Sequence, residues 1–184
     1  MDIDFYRDRN EGQLTPEERK ALYTTILNEK PNVVFEVGTW KGGGSTYFIS
    51  SGLYENKIGK LYTVECNKIF YDHAINLYNT TFSHLLPYVN FNYGESLIVY
   101  PEILEKISNI DFLFLDGGIV PEKTLAEYYM FMPYLKTGAI LACHDWNEDN
   151  KMVKLRETIL KDPSWKMIVY LPEGPTGFAL FKKV

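Results

Sequence analysis

At 184 residues, 46% of them hydrophobic and 23% charged, the chain is long enough for one domain with a substantial core and unlike a disordered or fibrous class. Its net charge of -5, from 19 basic and 24 acidic residues with no basic stripe, argues against a nucleic-acid partner held through its phosphates. The start "MDIDFYRDRNEGQ" is acidic and polar, unlike a signal peptide, and no run approaches the ~18 apolar residues of a membrane span, so a cytoplasmic protein is expected.

Thr15, Pro16 and Glu18 form a capping box, which predicts a helix from Pro16 through "EERKALYTTILNEK". Residues 1–31 are thus a helical extension before the first strand, "VVFEV", and a single domain is expected over 1–184. The loop "GTWKGGGS" follows, then a helix from Ser45 to about Leu53. "KLYTVEC" predicts a second strand ending near Glu65, "IFYDHAINLYNTTF" a helix, and "YVNFNY" a third strand before "GES" and a helix over Ile98–Ile107. "IDFLFLD" is a fourth strand, "PEKTLAEYYMFMPYL" a helix, "GAILACHD" a fifth strand and "NKMVKLRETILK" a helix. "WKMIVYL" and "GFALFKKV" close the chain as strands joined by "PEGPT", a connection too short for a crossover, so they pair antiparallel.

Strand and helix alternate, and the strands are apolar throughout, which predicts a doubly wound α/β sheet covered on both faces. Ligands of such sheets bind beyond the carboxyl ends of the strands, where the winding reverses. All five parallel strands deliver an acid to that edge: Glu36, Glu65, Glu95, Asp116 and Asp145. Five carboxylates repel one another unless a cation or a hydrogen-bonding ligand compensates.

Glycines at 38, 42, 43 and 44 do not have the G-x-G-x-x-G spacing of a pyrophosphate loop, and Glu36 beside them suits a sulfonium or amino group better than a phosphate. Glu65 is placed to accept the two hydroxyls of a ribose. Glu95 with Ser96 can meet an adenine amino group or simply cap the next helix.

Taken together, "VVFEVGTWKGGGST", "LYTVEC", "YGES", "IDFLFLDGG" and "LKTGAILACHDW" resemble the class I S-adenosylmethionine-dependent methyltransferases. Within them the chain looks like the branch of small-molecule O-methyltransferases and cephalosporin-hydroxylase-like proteins. The resemblance runs from about Asn32 to the C-terminus. It implies a Rossmann-like, mostly parallel seven-stranded sheet with the last strand antiparallel, S-adenosylmethionine as cofactor, and methyl transfer to a hydroxyl of a small molecule.

Carried onto this chain, the resemblance assigns cofactor contacts to Glu36, Gly38, Thr39, Trp40, Gly42, Gly44 and Ser45 in the first loop. To these it adds Glu65 and Cys66 after the second strand, Glu95 and Ser96 after the third, and Asp116 after the fourth. In metal-dependent relatives the positions of Asp116, His144 and Asp145 hold a divalent cation and orient the acceptor. Mg²⁺ suits the oxygens, while the histidine tilts the set toward Mn²⁺, Fe²⁺ or Zn²⁺. The alternative is that His144, Asp145 and Trp146 only cap the next helix.

One departure stands out. Relatives often read Asp-Gly-Asp-His or Asp-Gly-Ser-His where this chain reads Asp116-Gly117-Gly118-Ile119, so a histidine near the substrate is missing. Either His144 or Asp145 replaces it as base, or a metal acidifies the hydroxyl, or the acceptor needs no base. A non-catalytic cofactor binder and an NAD-linked oxidoreductase are the other classes considered. With no long insertion to act as a lid, the pocket is expected to be open or completed by a second subunit in a homodimer. Cys66 and Cys143, ending the second and fifth strands, would lie roughly 14 Å apart in the family's strand order and remain free thiols.

Overall fold

The computed structural model describes residues 3–7, 12–172 and 176–184. Thr15 caps the first helix as its position predicts: its Oγ1 accepts the Glu18 N–H at 3.3 Å, and the Glu18 carboxylate accepts the Thr15 N–H at 2.7 Å. The helix α1 (Pro16–Glu29) follows.

Then come β1 (Val33–Val37), α2 (Ser45–Asn56), β2 (Lys60–Glu65), α3 (Lys68–Thr80), β3 (Val89–Tyr93) and α4 (Ser96–Leu104). The chain continues through β4 (Ile110–Leu115), α5 (Pro121–Phe131), β5 (Leu135–His144), α6 (Asp149–Lys161), β6 (Trp165–Leu171) and β7 (Phe178–Lys183). Short 3-10 turns occupy Ser83–Tyr88 and Met132–Tyr134.

These strands form one seven-stranded sheet in the order β3-β2-β1-β4-β5-β7-β6. The first five in that order are parallel, and β7 runs antiparallel to both of its neighbours. Because β1 lies between β2 and β4, the winding reverses there, and a crevice opens beyond their carboxyl ends.

Alternating side chains split the interior into two layers. Phe35, Leu113, Leu115, Leu141 and Phe181 pack with Tyr100, Tyr128 and Leu155 on the side of α4, α5 and α6. Val34, Phe112, Phe114, Ile140 and Leu180 pack with Leu22, Ile26, Phe48 and Ile49 on the side of α1 and α2.

Complete coverage fails at the rims of the sheet. In β3, Asn90 is exposed, and in β6 Lys166, Met167 and Ile168 are exposed, because an outermost strand has less chain folded over it. β5 starts at Leu135, before the expected Gly138, drawn into the ladder by its pairing with Ile110 and by the Lys136–Asp111 ion pair at 2.5 Å. The middle of the expected "PEGPT" turn, residues 173–175, lies outside the described residues, while the strands on either side pair antiparallel as expected.

Cys66 follows β2 and Cys143 belongs to β5, with β1 and β4 between them, and both are free thiols. Among the described residues no helix is long and apolar enough to cross a membrane.

Candidate active site

The first loop is fixed from both sides. Gly38 and Thr39 donate their N–H groups to the Val64 carbonyl at 3.2 and 3.1 Å, and Asp116 donates its own to the Val37 carbonyl at 3.0 Å. Gly38 sits at φ +99°, and a Cβ there would stand 3.0 Å from Gly117 Cα, so the loops after β1 and β4 meet backbone to backbone. Gly44 has a different neighbour: a Cβ on Gly12 would lie 2.0 Å from Gly44 Cα. The N-terminal segment therefore crosses directly over the glycine loop, which is why that loop cannot carry side chains there.

Beneath the loop Glu36 is fully buried. Its Oε2 accepts from Thr46 Oγ1 at 2.7 Å and Thr63 Oγ1 at 2.6 Å. Oε1 has no hydrogen-bond partner among the described residues. Burial pushes the carboxyl up to about 7, opposed by the hydrogen bonds from Ser45, Thr63 and Thr46. Glu36 thus ties β1 to β2 and to the start of α2 from below.

Two cavities open above the strand ends and share Gly38. One is lined by Gly38, Glu65, Cys66, Glu95, Ser96, Lys123 and Glu127 among others. The Glu65 carboxylate is aimed by main-chain donors, Trp40 N–H at 2.8 Å on Oε2 and Asn67 N–H at 2.8 Å on Oε1. Trp40 takes φ +48° to make that bond, a conformation that costs on the order of 1 kcal/mol. Ser96 donates to Glu127 Oε1 at 2.5 Å, leaving Oε2 buried without a partner among the described residues, and burial raises this carboxyl. On the rim Lys123 pairs with Glu95 at 2.5 Å.

The second cavity is lined by Gly12, Gln13 and Leu14 together with Gly38, Thr39, Trp40, Gly44, Ser45 and Asp116. Its floor is the N-terminus of α2, where Gly44 at the N-cap offers no side-chain oxygen to the first N–H groups. Arg19 holds the covering segment in place. Fully buried, it donates to the carbonyls of Phe5 at 3.0 Å, Arg7 at 2.7 Å and Gly12 at 3.1 Å.

Asp116, His144 and Asp145 converge at the ends of β4 and β5, with one ligand-type atom of each lying within 4.8 Å of the others. His144 Nδ1 stands 3.2 Å from Asp116 Oδ1 and 3.1 Å from Asp145 Oδ1, and Nε2 stands 3.7 Å from Glu18 Oε2. Burial would favour the neutral ring, but Asp116, Glu18 and Asp145 outweigh it and raise His144 to about 10. Three acids around one ring favour its protonated form, which sets them against the expectation that His144 serves as the base.

A residue the sequence reading passed over completes the cluster. Lys151, from the first turn of α6, donates to Asp116 O at 2.7 Å, Asp116 Oδ1 at 2.7 Å and Asp145 Oδ2 at 2.6 Å. Burial works against the charge of Asp116, but His144 and Lys151 prevail and hold its carboxyl far below the usual range. Asp145 reaches this position only through φ +58°. The three residues are close enough together to share a divalent ion, but here the Lys151 ammonium bridges the two carboxylates and the imidazole nitrogens face acids.

Of the expected cofactor residues, Gly38, Thr39, Trp40, Gly44, Ser45, Glu65, Cys66, Glu95, Ser96 and Asp116 line one cavity or the other. Glu36 and Gly42 line neither; Gly42 packs against Ala74 and Tyr78 of α3. Glu127 was missed, and Glu18 was read only as a capping-box acid and not as a partner of His144, although each is a buried acid on a helix packed against the core. Nor does any insertion need to cover the second cavity, since residues 12–14 form a wall.

Comparison with known proteins agrees with this architecture. Among solved structures, the chain is similar to an O-methyltransferase from Bacillus cereus in complex with SAH, at 18% identity and TM-score 0.77 over 93% of this chain and 82% of that one. It is similar also to the O-methyltransferase TomG from Streptomyces achromogenes in complex with SAM, at 18% identity and TM-score 0.75 over 93% and 81%. A third is the SAH-bound methyltransferase PaMTH1 from Podospora anserina, at 14% identity and TM-score 0.71 over 97% and 82%. At these identities the likeness is one of fold. No curated protein matches the chain. A family model described as a methyltransferase domain matches residues 35–146, from the buried Phe35 of β1 to Trp146 beyond the charged cluster. That span is more than half of the chain and holds most of the residues lining both cavities, and by it the chain belongs to the methyltransferase-domain family.

Proposed function

We propose that the chain is an S-adenosylmethionine-dependent enzyme that methylates a hydroxyl of a small molecule. The observation that carries this reading is the pair of cavities meeting at Gly38, one presenting an oriented carboxylate and the other a helix N-terminus. Because both are bordered by Gly38, the two suit the two halves of one extended ligand.

The donors suit the cofactor's chemistry. Glu65, held by two amide N–H groups, keeps lone pairs for ribose hydroxyls. Glu127 Oε2, buried and without a partner among the described residues, suits the adenine amino group. At the other end, the start of α2 receives the carboxylate of the methionine part. When bound, the sulfonium supplies an activated methyl: a carbon–oxygen bond forms as the carbon–sulfur bond breaks, and sulfur leaves as a neutral thioether.

The chain's contribution is placement. His144 and Lys151 are both engaged by acids of the protein, so the acceptor's proton passes to water, which suits an acidic hydroxyl of the phenolic kind. The rate is then expected to rise with pH through the acceptor's own pKa.

The test is transfer of a labelled methyl from S-adenosylmethionine to a panel of phenols and aliphatic alcohols, with NAD binding measured as the control. Transfer to a phenol supports the proposal. Cofactor binding without transfer to any acceptor would favour the second reading, a non-catalytic binder, whose supporting observation is the lack of a free base beside Asp116. Binding of NAD alone would overturn both.

A further inference from the structure

The position shared by Asp116 and Asp145 is a cation site, and its cation is part of the chain. An ammonium has three N–H groups, and Lys151 directs one to each carboxylate and one to the Asp116 carbonyl, at 2.6 to 2.7 Å. A divalent ion on the same oxygens would need oxygen distances of about 2.0–2.1 Å for Mg²⁺, and the ammonium stands where it would have to enter.

Three features keep Lys151 there. Its side chain is 12% exposed, so it has little freedom to swing into water. The bond to the Asp116 carbonyl anchors Nζ independently of the carboxylates. His144 Nδ1 meanwhile lies 3.2 Å from Asp116 Oδ1 and 3.1 Å from Asp145 Oδ1, with Glu18 3.7 Å from Nε2, so both ring nitrogens are turned toward acids of the protein.

We infer that Lys151 is a built-in replacement for the divalent cation of metal-dependent methyltransferases, and that this chain binds no metal between Asp116 and Asp145. This deepens the proposed function at the same site. With no ion to chelate two oxygens, the acceptor needs a single nucleophilic oxygen rather than a vicinal pair. Lys151 is a positioning residue, because all of its donors are spent on the protein.

The test is independent of catalysis. The metal-stripped full chain is titrated with Mn²⁺ while the free-ion electron paramagnetic resonance signal is followed, without cofactor or acceptor. The wild-type chain is expected to leave the signal unchanged. Lys151→Ala is expected to take up one ion per chain, and Lys151→Ala combined with Asp116→Asn to lose that uptake. Should Lys151→Ala fail to fold, Lys151→Gln keeps the stem and removes the charge.

Saturable uptake by the wild-type chain that Asp116→Asn abolishes would overturn the inference. So would a folded Lys151 variant that takes up no ion, since the position would then be no cation site. Either result leaves cofactor binding to be judged separately, so failure here is distinguishable from failure of the proposed function.

Discussion

Glu65 and Asp116 stand at the carboxyl ends of neighbouring parts of one sheet, yet they are stabilised in different ways. Main-chain N–H groups of Trp40 and Asn67 hold Glu65, whereas Asp116 is held by the charged side chains of Lys151 and His144. An amide-held carboxylate is oriented without being neutralised and keeps acceptor capacity for hydroxyls. A carboxylate between two cations has its charge cancelled inside the fold. The first arrangement belongs to a ligand site, and the second to a cluster that is already complete.

The largest effect that would break this contrast is removal of the cation. Lys151→Ala strands Asp116 and Asp145 opposite each other and is expected to cost about 3–5 kcal/mol in chemical denaturation. A loss below about 1 kcal/mol would mean that the cluster is wet enough to need no partner.

Next in size are two pH effects. Glu36 has a folded pKa of about 7, above its ordinary value of 4.5, so it binds protons more tightly in the folded state. Its contribution is intact below pH 4.5 and falls as pH rises toward 7, by about 3 kcal/mol. The wild-type minus Glu36→Gln stability difference should decline across that window. His144, raised to about 10 from 6.5, contributes fully below pH 6.5 and loses that contribution as pH climbs through 10. The difference from His144→Asn should therefore decline in the higher window. Flat difference curves would contradict the charge states assigned to these groups.

At the other end of the cleft, Glu65→Ala should weaken S-adenosylhomocysteine binding about 10–100-fold, the range for hydrogen bonds to a charged group, measured by calorimetry. Gly12→Ala should have the smallest effect on affinity, though not on stability. Its new methyl meets the Gly44 backbone, and the overpacking is expected to cost about 1–3 kcal/mol, with a few-fold loss of affinity as residues 12–14 shift.

The sequence made the first arrangement legible and only half of the second. Apolar runs such as "IDFLFLD" and the short final hairpin specify the sheet, and strand-end acids are visible wherever a strand is visible. Glu65 was therefore found together with its neighbourhood. Asp116, His144 and Asp145 were found for the same reason, but their charge states depend on partners far along the chain. Glu18 lies on α1, 126 positions before His144, and Lys151 reaches the cluster from α6 only because that helix packs where it does. No local pattern encodes such meetings, although a charged residue on a helix's buried stripe marks a partner to be sought.

The three glycines tell a similar story. Gly44 answers to Gly12 and Gly42 to α3, so much of their cost serves contacts inside the fold, and Gly38 is the glycine that both cavities share.

The most direct measurement is a calorimetric titration of the chain with S-adenosylmethionine after dialysis against EDTA, repeated with added Mn²⁺. Saturable binding of one cofactor per chain, with the same affinity in both titrations, is predicted. No binding in either, or binding only when Mn²⁺ is present, would contradict the account of an open cofactor cleft beside a cluster that supplies its own cation.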